Sequence, residues 1–148
     1  MPRPLRFRLD GPFWLAAAGF LGFLGVAVGA IGAHALKAQV TPDAMALFRT
    51  AWEYHILHAL VLGLIGGLSL AYPDSRSFRM AGAACLLGIG LFSGSLYAVS
   101  LGAPRIWVHV TPFGGFSLMA SWLAICVGAF SIRKNRSLWI KPVSHPSE

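Results

Sequence analysis

The sequence has few charged residues and few cysteines. Of its 148 residues, 11% are charged, five are acidic and two are cysteine. A soluble domain carries about a quarter charged residues, so this composition excludes an ordinary soluble globular protein. Two cysteines also exclude a framework of several disulfides. Because Cys85 and Cys126 both fall within apolar segments, we expect each to act as a small buried hydrophobic residue.

Long apolar runs make up most of the chain. Four segments approach the roughly 20 apolar residues that cross a bilayer: residues 13–33, 52–72, 80–101 and 113–132. None contains Lys or Arg, and their one carboxylate, Glu53, lies at an end. The pattern predicts an all-α fold, a single transmembrane domain built as a four-helix antiparallel bundle, with a flexible tail at residues 137–148. The apolar run at the first segment is longer than that of a signal peptide, so we expect it to be retained.

The net charge of +7 comes from basic residues at the segment ends rather than along one face. This placement indicates membrane topology and disfavours nucleic acid as a partner. Nine basic residues lie on one side of a four-span chain: Arg3, Arg6, Arg8, Arg76, Arg79, Arg133, Lys134, Arg136 and Lys141. Three lie on the other side: Lys37, Arg49 and Arg105. By the positive-inside rule, we expect both termini in the cytoplasm.

Small residues recur at helical spacing in three of the segments. In lipid, such residues let helix backbones approach closely, and packing rather than hydrophobic expulsion holds the helices together. We expect helix packing at Gly22, Gly25, Gly29, Gly90, Gly94, Gly114, Ser117 and Ser121. The pattern therefore predicts close helix pairs.

Ionisable side chains are concentrated in residues 52–58, with the sequence Trp-Glu-Tyr-His-Ile-Leu-His. On a helix, Tyr54, His55 and His58 fall within one arc of roughly 100°. One interpretation is an interfacial belt at the water boundary of the membrane; the other is a ligand, metal or proton site. The four-span topology brings several polar groups to one outer layer. Its expected members are His34, Glu53, Tyr54, His58, Ser93, Tyr97 and Thr111.

Two readings of this layer compete. His34, Glu53 and His58 offer two imidazoles and a carboxylate, which are ligand types that Zn²⁺ accepts, although no HExxH-type spacing supports a metal site. A hydrogen-bonded clasp between helix ends explains the same residues without any ligand, because buried polar groups need partners.

Other chemistries find less support. A serine hydrolase using Ser93 or Ser95 lacks the strand–turn–helix setting of a nucleophile elbow. Haem ligation by His34 and His58 rests on residue type alone. A transporter is expected to carry an ionisable residue near the membrane midplane, and no predicted span centre contains one. No pattern identifies a cofactor, and we expect none.

Four ordered motifs resemble a known family. They are Gly32-Ala33-His34-Ala35-Leu36, Glu53-Tyr54 with His58-Ala59-Leu60, residues 91–97 (Leu-Phe-Ser-Gly-Ser-Leu-Tyr), and Thr111-Pro112 with Gly114-Gly115. In this order and spacing, the chain resembles the small inner-membrane proteins of the YgdD type, a domain-of-unknown-function family that also includes vertebrate transmembrane protein 256. The resemblance covers about residues 13–132. It implies a four-helix protein of the bacterial inner membrane whose biochemical activity is not established.

The resemblance also sorts the polar residues. The family-like positions are His34, Glu53, Tyr54, His58, Ser93, Ser95, Tyr97, Thr111 and Gly114. His55 and His109 look like departures, so they are not expected to belong to a shared site. We therefore predict a structural or accessory membrane protein rather than an enzyme, held by a polar clasp on the periplasmic side. Its partners are the lipid bilayer and either a second copy or a larger membrane complex. The alternative is a ligand- or metal-binding protein that uses the outer layer.

Overall fold

The computed structural model describes residues 10–36 and 39–139, with side chains up to residue 132. Every regular element in this part of the chain is a helix. The α-helices are α1 (Gly11–Ile31), α2 (Pro42–Ala71), α3 (Arg76–Gly88), α4 (Gly94–Ser100) and α5 (Thr111–Trp139). A π-helical turn, Gly32–Leu36, extends α1; a second, Ile89–Ser93, joins α3 to α4; and a 3₁₀ turn, Arg105–Val110, leads into α5.

These elements form four stretches that are long and apolar enough to cross a membrane. They are Gly11–Leu36, Pro42–Ala71, Arg76–Ser100 and Arg105–Ile132. The prediction of four membrane-length helices is confirmed, and each helical stretch is longer than its apolar segment. The predicted flexible tail begins inside α5, which is helical to Trp139; its residues 140–148 lie outside the described part of the chain.

Local sequence signals explain where the helices begin. The hydroxyl of Thr41 accepts a hydrogen bond from the Ala44 N–H at 3.3 Å, and Pro42 follows it at the first helical position of α2. Ser75 caps α3 in the same way. Thr111 also precedes a proline, but it does not cap α5 in this way, because its backbone is already helical. Its side chain contacts α4 instead.

The core lies between α2, α3 and α5, with one large residue from α1. Its buried members are Trp14, Val61, Leu62, Ile65, Ala81, Cys85, Ile89 and Leu118. Helix α2 is the most buried span, with 44% of its most apolar stretch inside the protein, whereas α1 has 11%. Helix α1 is therefore attached chiefly through its contact with α2.

Glycines of α1 sit beneath aromatic side chains of α2. A Cβ added at Gly29 would lie 2.6 Å from the indole nitrogen of Trp52, and one at Gly32 would collide with Phe48. At the other end, a Cβ at Gly66 would lie 2.8 Å from Leu15. Residues late in α1 thus contact residues early in α2, and residues early in α1 contact residues late in α2.

Helices α3 and α5 approach each other through serines and glycines. The Ser117 hydroxyl donates to the Ala84 carbonyl at 3.0 Å, and that of Ser121 donates to the Ala81 carbonyl at 2.8 Å. Gly114 lies directly against the backbone of Phe92. Each hydroxyl finds its acceptor on the neighbouring backbone, which is how a polar side chain is accommodated in lipid.

Not every predicted packing glycine contacts another helix of the chain. Gly25, Gly29 and Gly114 do, as do both serines, but a Cβ added at Gly22, Gly90 or Gly94 would meet nothing within 4 Å. The periodic spacing is common to both groups; what separates them is which face of each helix the fold turns inward. Gly22, Gly90 and Gly94 therefore do not pack closely against another helix in the described part of the chain.

The contrast between Gly82 and Gly90 provides a test of this packing. A Cβ at Gly82 would lie 2.5 Å from the Trp14 ring, whereas Gly90, on the same span, has open space. We expect Gly82→Ala to lower the free energy of unfolding by about 1–3 kcal/mol, since the buried indole cannot move freely. Gly90→Ala should be neutral or slightly stabilising because alanine favours helix. Thermal unfolding of both purified variants in one detergent measures this, and equal melting temperatures would contradict the packing.

Candidate functional site

The polar residues lie toward one end of the bundle. We call it the polar end: here α1 finishes, α2 begins, α4 finishes and α5 begins, and its landmarks are Gly32, Phe48, Tyr97 and Thr111. Gly32 packs against Phe48, and the Phe48 and Tyr97 rings meet edge to face at 5.3 Å. The shared outer layer expected from the topology thus has a structural counterpart, although its membership differs from that predicted.

His58 is the most highly connected of these residues. Its ring Nδ1 lies 2.9 Å from the Tyr54 carbonyl oxygen on the preceding turn of α2. The indole N–H of Trp122 in α5 donates to its Nε2 at 3.3 Å. The thiol of Cys85 in α3 donates to its backbone carbonyl at 3.4 Å. One residue therefore links three spans.

These partners fix the protonation of the His58 ring. An indole N–H can only donate, so Nε2 must be the unprotonated acceptor. A backbone carbonyl can only accept, so Nδ1 must carry the hydrogen. His58 is accordingly a neutral imidazole with both nitrogens satisfied, which is the form that can be buried at 3% exposure without an uncompensated charge.

His58 also lies deeper than an interfacial belt residue. It is the seventeenth of the 30 residues of α2, and its partner Trp122 sits near the middle of the fourth predicted span. We expected span centres without ionisable groups, and the structure corrects this expectation. The apolar run begins at Trp52, but the helix begins ten residues earlier, at Pro42, so a residue near the start of the run is near the middle of the helix.

Aromatic rings surround the His58 imidazole. The Tyr54 ring stacks on it with a centroid distance of 5.7 Å and an interplanar angle of 17°. The other neighbour of Tyr54 is Phe92, stacked at 4.4 Å. The Trp122 ring meets the imidazole edge to face at 6.4 Å. Such contacts fix the ring plane and so keep both hydrogen bonds aligned.

His55 forms a second, incomplete link. Its Nδ1 lies 3.3 Å from the Tyr97 hydroxyl, and the residue is only 5% exposed. Its Nε2 has no hydrogen-bond partner among the described residues. The buried Ser93 hydroxyl, in the π turn, also lacks a partner within the described residues. Two buried polar groups, His55 Nε2 and the Ser93 hydroxyl, therefore have no hydrogen-bond partner among the described residues.

Ser95 and Thr111 join α4 to α5. Their hydroxyl oxygens lie 2.8 Å apart, and the Ser95 hydroxyl also donates to the Phe92 carbonyl at 3.0 Å. Thr111 was a predicted member of the layer, and this is the contact it makes. The Ser95 hydroxyl is hydrogen-bonded to Thr111 and to a backbone carbonyl, and to no histidine among the described residues. This arrangement is not that of a hydrolase nucleophile, which needs a base within hydrogen-bond reach.

Two predicted members stand apart from the cluster. His34 and Glu53 are both exposed, and neither has a hydrogen bond or ion pair with the described residues. Among residues 10–36 and 39–139, no three His, Cys, Asp or Glu side chains are grouped as a metal ion would require. The structure therefore does not bring His34, Glu53 and His58 together as ligands. Metal binding at His58 Nε2 would in addition have to displace the Trp122 indole.

Sequence reasoning missed two contributors. His55 was set aside as a departure from the family pattern, but it is buried and contacts Tyr97. Trp122 was overlooked beside the Ser117–Ser121 seam. A signal for it existed: a tryptophan at the middle of a span, rather than at its ends, has an indole N–H that needs an acceptor inside the bilayer.

Comparison with known proteins places the chain among membrane proteins. It matches a family model described as "Protein of unknown function (DUF423)" over residues 28–115. It is 38% identical to the UPF0382 inner membrane protein YgdD of Escherichia coli (strain K12) over 134 residues, or 90% of this chain and 96% of that protein. A UPF0382 membrane protein of Haemophilus influenzae is 35% identical over 125 residues, 84% and 97% of the two chains.

A membrane protein of Bacillus subtilis is similar to this chain to about the same degree. The UPF0382 membrane protein YwdK of Bacillus subtilis is 37% identical over 106 residues, which cover 72% of this chain and 86% of that protein. No solved structure matches the chain. The predicted resemblance to YgdD-type proteins is confirmed.

The His58–Trp122 hydrogen bond can be tested by removing its donor. Trp122→Phe keeps a large ring but leaves His58 Nε2 buried without a partner, so we expect the free energy of unfolding to fall by about 1–3 kcal/mol. Trp107→Phe is the matched control, because Trp107 is 49% exposed and should change stability by less than about 0.5 kcal/mol. A double-mutant cycle with His58→Ala should give a coupling energy of about 1 kcal/mol. Strictly additive effects would show that the bond contributes nothing.

Proposed function

Because this chain belongs to the DUF423 family of proteins of unknown function, we propose that it is a structural or accessory protein of the inner membrane, held rigid by the links of His58. Its homologues are inner membrane proteins, and four of its helices are long enough to span a bilayer. The links tie α2 to α3 and α5 across the middle of the bundle. A rigid scaffold of this kind serves packing against a second copy or a larger membrane complex.

The observation that carries this proposal is the complete occupation of His58. Both ring nitrogens and the backbone carbonyl have partners within the chain. A histidine kept for catalysis or ligand binding needs at least one nitrogen that faces a substrate, a metal or water. An intramembrane histidine with none free is explained by stability, since leaving any of these groups unpaired in lipid costs several kcal/mol.

The arrangement of the helices supports an antiparallel bundle. The α1–α2 contacts pair Gly66 with Leu15 and Gly29 with Trp52. The α3–α5 contacts pair Gly128 with Phe78 at one end, where a Cβ would lie 2.5 Å from the ring. With nine basic residues on one side of the spans and three on the other, we place both termini in the cytoplasm and the polar end on the periplasmic side.

Surfaces suited to association remain on the outside of the chain. Helix α1 is the least buried span, and Gly22, Gly90 and Gly94 offer open positions where another backbone can approach closely. A bundle that needed none of this surface could carry large apolar residues there. We therefore assign these positions to contacts with another chain.

A ligand-binding role is the second candidate, and one observation favours it. His55 Nε2 and the Ser93 hydroxyl are buried without hydrogen-bond partners, and such groups are normally satisfied by water or a ligand. In this alternative, a small polar molecule bonds to one of these groups. It places the ligand at His55 rather than at His34 or His58, the residues first considered.

The proposed topology predicts the outcome of reporter fusions. We expect alkaline phosphatase fused after residue 74, or at the C-terminus, to be inactive, and the same enzyme fused after residue 103 to be active. Green fluorescent protein should give the reverse pattern at each site. Activity after residue 74 would place the polar end in the cytoplasm and overturn the assignment of sides.

The scaffold role predicts that stability and assembly change together. His58→Ala should lower the melting temperature of the purified protein by several degrees, since it removes a buried ring and leaves the Trp122 indole N–H of α5 without its acceptor. His34→Ala is the control, because His34 is exposed and should leave the melting temperature unchanged. In native mass spectrometry from lipid nanodiscs, the wild type should carry a second copy or a companion subunit that His58→Ala loses.

Either of two results would contradict the scaffold. A monomeric protein that binds no other subunit, and whose melting temperature is unchanged by His58→Ala, would remove the basis of the proposal. A stoichiometric small molecule, retained by His58→Phe but lost in His55→Ala, would favour the ligand-binding alternative instead.

A further inference from the structure

A cavity of about 180 Å³ opens at the polar end, between the finish of α1 and the first turns of α2. Gly29, Gly32 and Ala33 line it from α1, and Phe48, Arg49 and Trp52 line it from α2. It lies apart from the His58 network, which faces α3 and α5. The cavity is therefore a separate feature of the α1–α2 pair.

The walls of this cavity are held in place. The indole N–H of Trp52 donates to the Gly25 carbonyl at 2.8 Å, a contact across two helices. Its ring covers Gly29, and the Phe48 ring covers Gly32, so neither ring can shift toward α1.

Among the described residues, Arg49 is the one charged residue that lines the cavity. Its guanidinium has no ion pair with any described residue. Glu53 follows one helical turn later and does not line the cavity. Arg49 lies seven residues after the start of α2, which is roughly 10 Å along the helix. A cation that borders an apolar space near a span end matches the chemistry of an amphiphile with an anionic head.

We propose that this cavity binds a phospholipid, with its phosphate on Arg49 and the upper part of an acyl chain against the glycines. A guanidinium binds phosphate oxygens through two parallel N–H donors, which a single ammonium cannot reproduce. Phosphate is present at the level of every bilayer surface, where the ends of spanning helices lie. The apolar walls suit the chain that follows the phosphate. This inference does not depend on the scaffold role, since it uses neither His58 nor a partner protein.

Native mass spectrometry with added phosphatidylglycerol (palmitoyl–oleoyl chains) tests the site. The wild type in a mild detergent should retain one lipid molecule. Arg49→Gln should weaken binding about tenfold, the size of a lost charge-assisted hydrogen-bonding pair, and Arg49→Lys should weaken it less. Ala33→Leu keeps the charge but fills the cavity from an exposed position, and it should also weaken binding. Arg105→Gln removes an exposed cation from the same side of the membrane and should leave binding unchanged.

Two further probes separate recognition of the head from recognition of the chain. Palmitoyl–oleoyl glycerol, which has the same chains without phosphate, should bind at least several-fold more weakly than phosphatidylglycerol. Glycerol 3-phosphate, which has no chains, should not displace the lipid at equal concentration. Unchanged melting temperatures for the Arg49 and Ala33 variants confirm that they fold.

Several results would overturn the proposal. Equal losses for Arg49→Gln and Arg105→Gln would show charge attraction without a site. Equal binding of the phosphate-free lipid would show that Arg49 does not recognise the head. Displacement by glycerol 3-phosphate would show that the cavity does not hold a chain. A lipid-free dimer that Ala33→Leu dissociates would assign the cavity to a second copy of the protein.

Discussion

The hydrogen bond from the Trp122 indole to His58 is the interaction on which the interior of the bundle depends. An imidazole and an indole are both costly to bury in a bilayer, where no water satisfies their nitrogens. The indole N–H of Trp122 donates to Nε2 of His58, so this one hydrogen bond satisfies a nitrogen of each ring. The donor-only indole also selects the neutral tautomer of His58, whose remaining N–H then finds the Tyr54 carbonyl. One contact between α2 and α5 thereby fixes the tautomer and the position of the ring between three spans.

Around this interaction, the helices are brought together in two different ways. Helices α1 and α2 meet where glycines accept aromatic rings, so their contact is apolar and depends on shape. Helices α3 and α5 meet where serine hydroxyls reach across to backbone carbonyls. In lipid, both devices work by close approach, since hydrophobic expulsion does not distinguish a helix from a lipid tail. The hydrogen bonds of the serines are directional. The bond of Ser121 also helps to position Trp122, the next residue in α5.

The sequence was sufficient for the number of membrane-length helices, because long apolar runs are a local property. The Thr41–Pro42 signal, also local, explains the start of α2. The sequence also predicted that Tyr54, His58, Tyr97 and Thr111 would share one layer, but His58 lies near the middle of α2. It could not predict which face of each helix turns inward. Gly25 and Gly22 have the same spacing pattern, but only Gly25 lies under α2. For the same reason, His55 became a core residue while His34 remained exposed.

The π turn at Ile89–Ser93 accounts for one of the hydrogen bonds that remain unmade among the described residues. In an α-helix, a serine hydroxyl commonly bonds to a carbonyl on the preceding turn. In α4, the Ser95 hydroxyl donates to the Phe92 carbonyl and the Ser100 hydroxyl to the Tyr97 carbonyl. Ser93 lies in the wider turn, and its buried hydroxyl has no partner among the described residues. Because His58 has no free nitrogen, a ligand inside the bundle would bond to Ser93 or to His55 Nε2. The lipid proposed at Arg49 lies outside this network, between the end of the first span and the start of α2. The bundle therefore contains a closed network around His58 and, nearby in sequence on α2 and in the π turn, two groups that have no partner among the described residues: His55 Nε2 and the Ser93 hydroxyl.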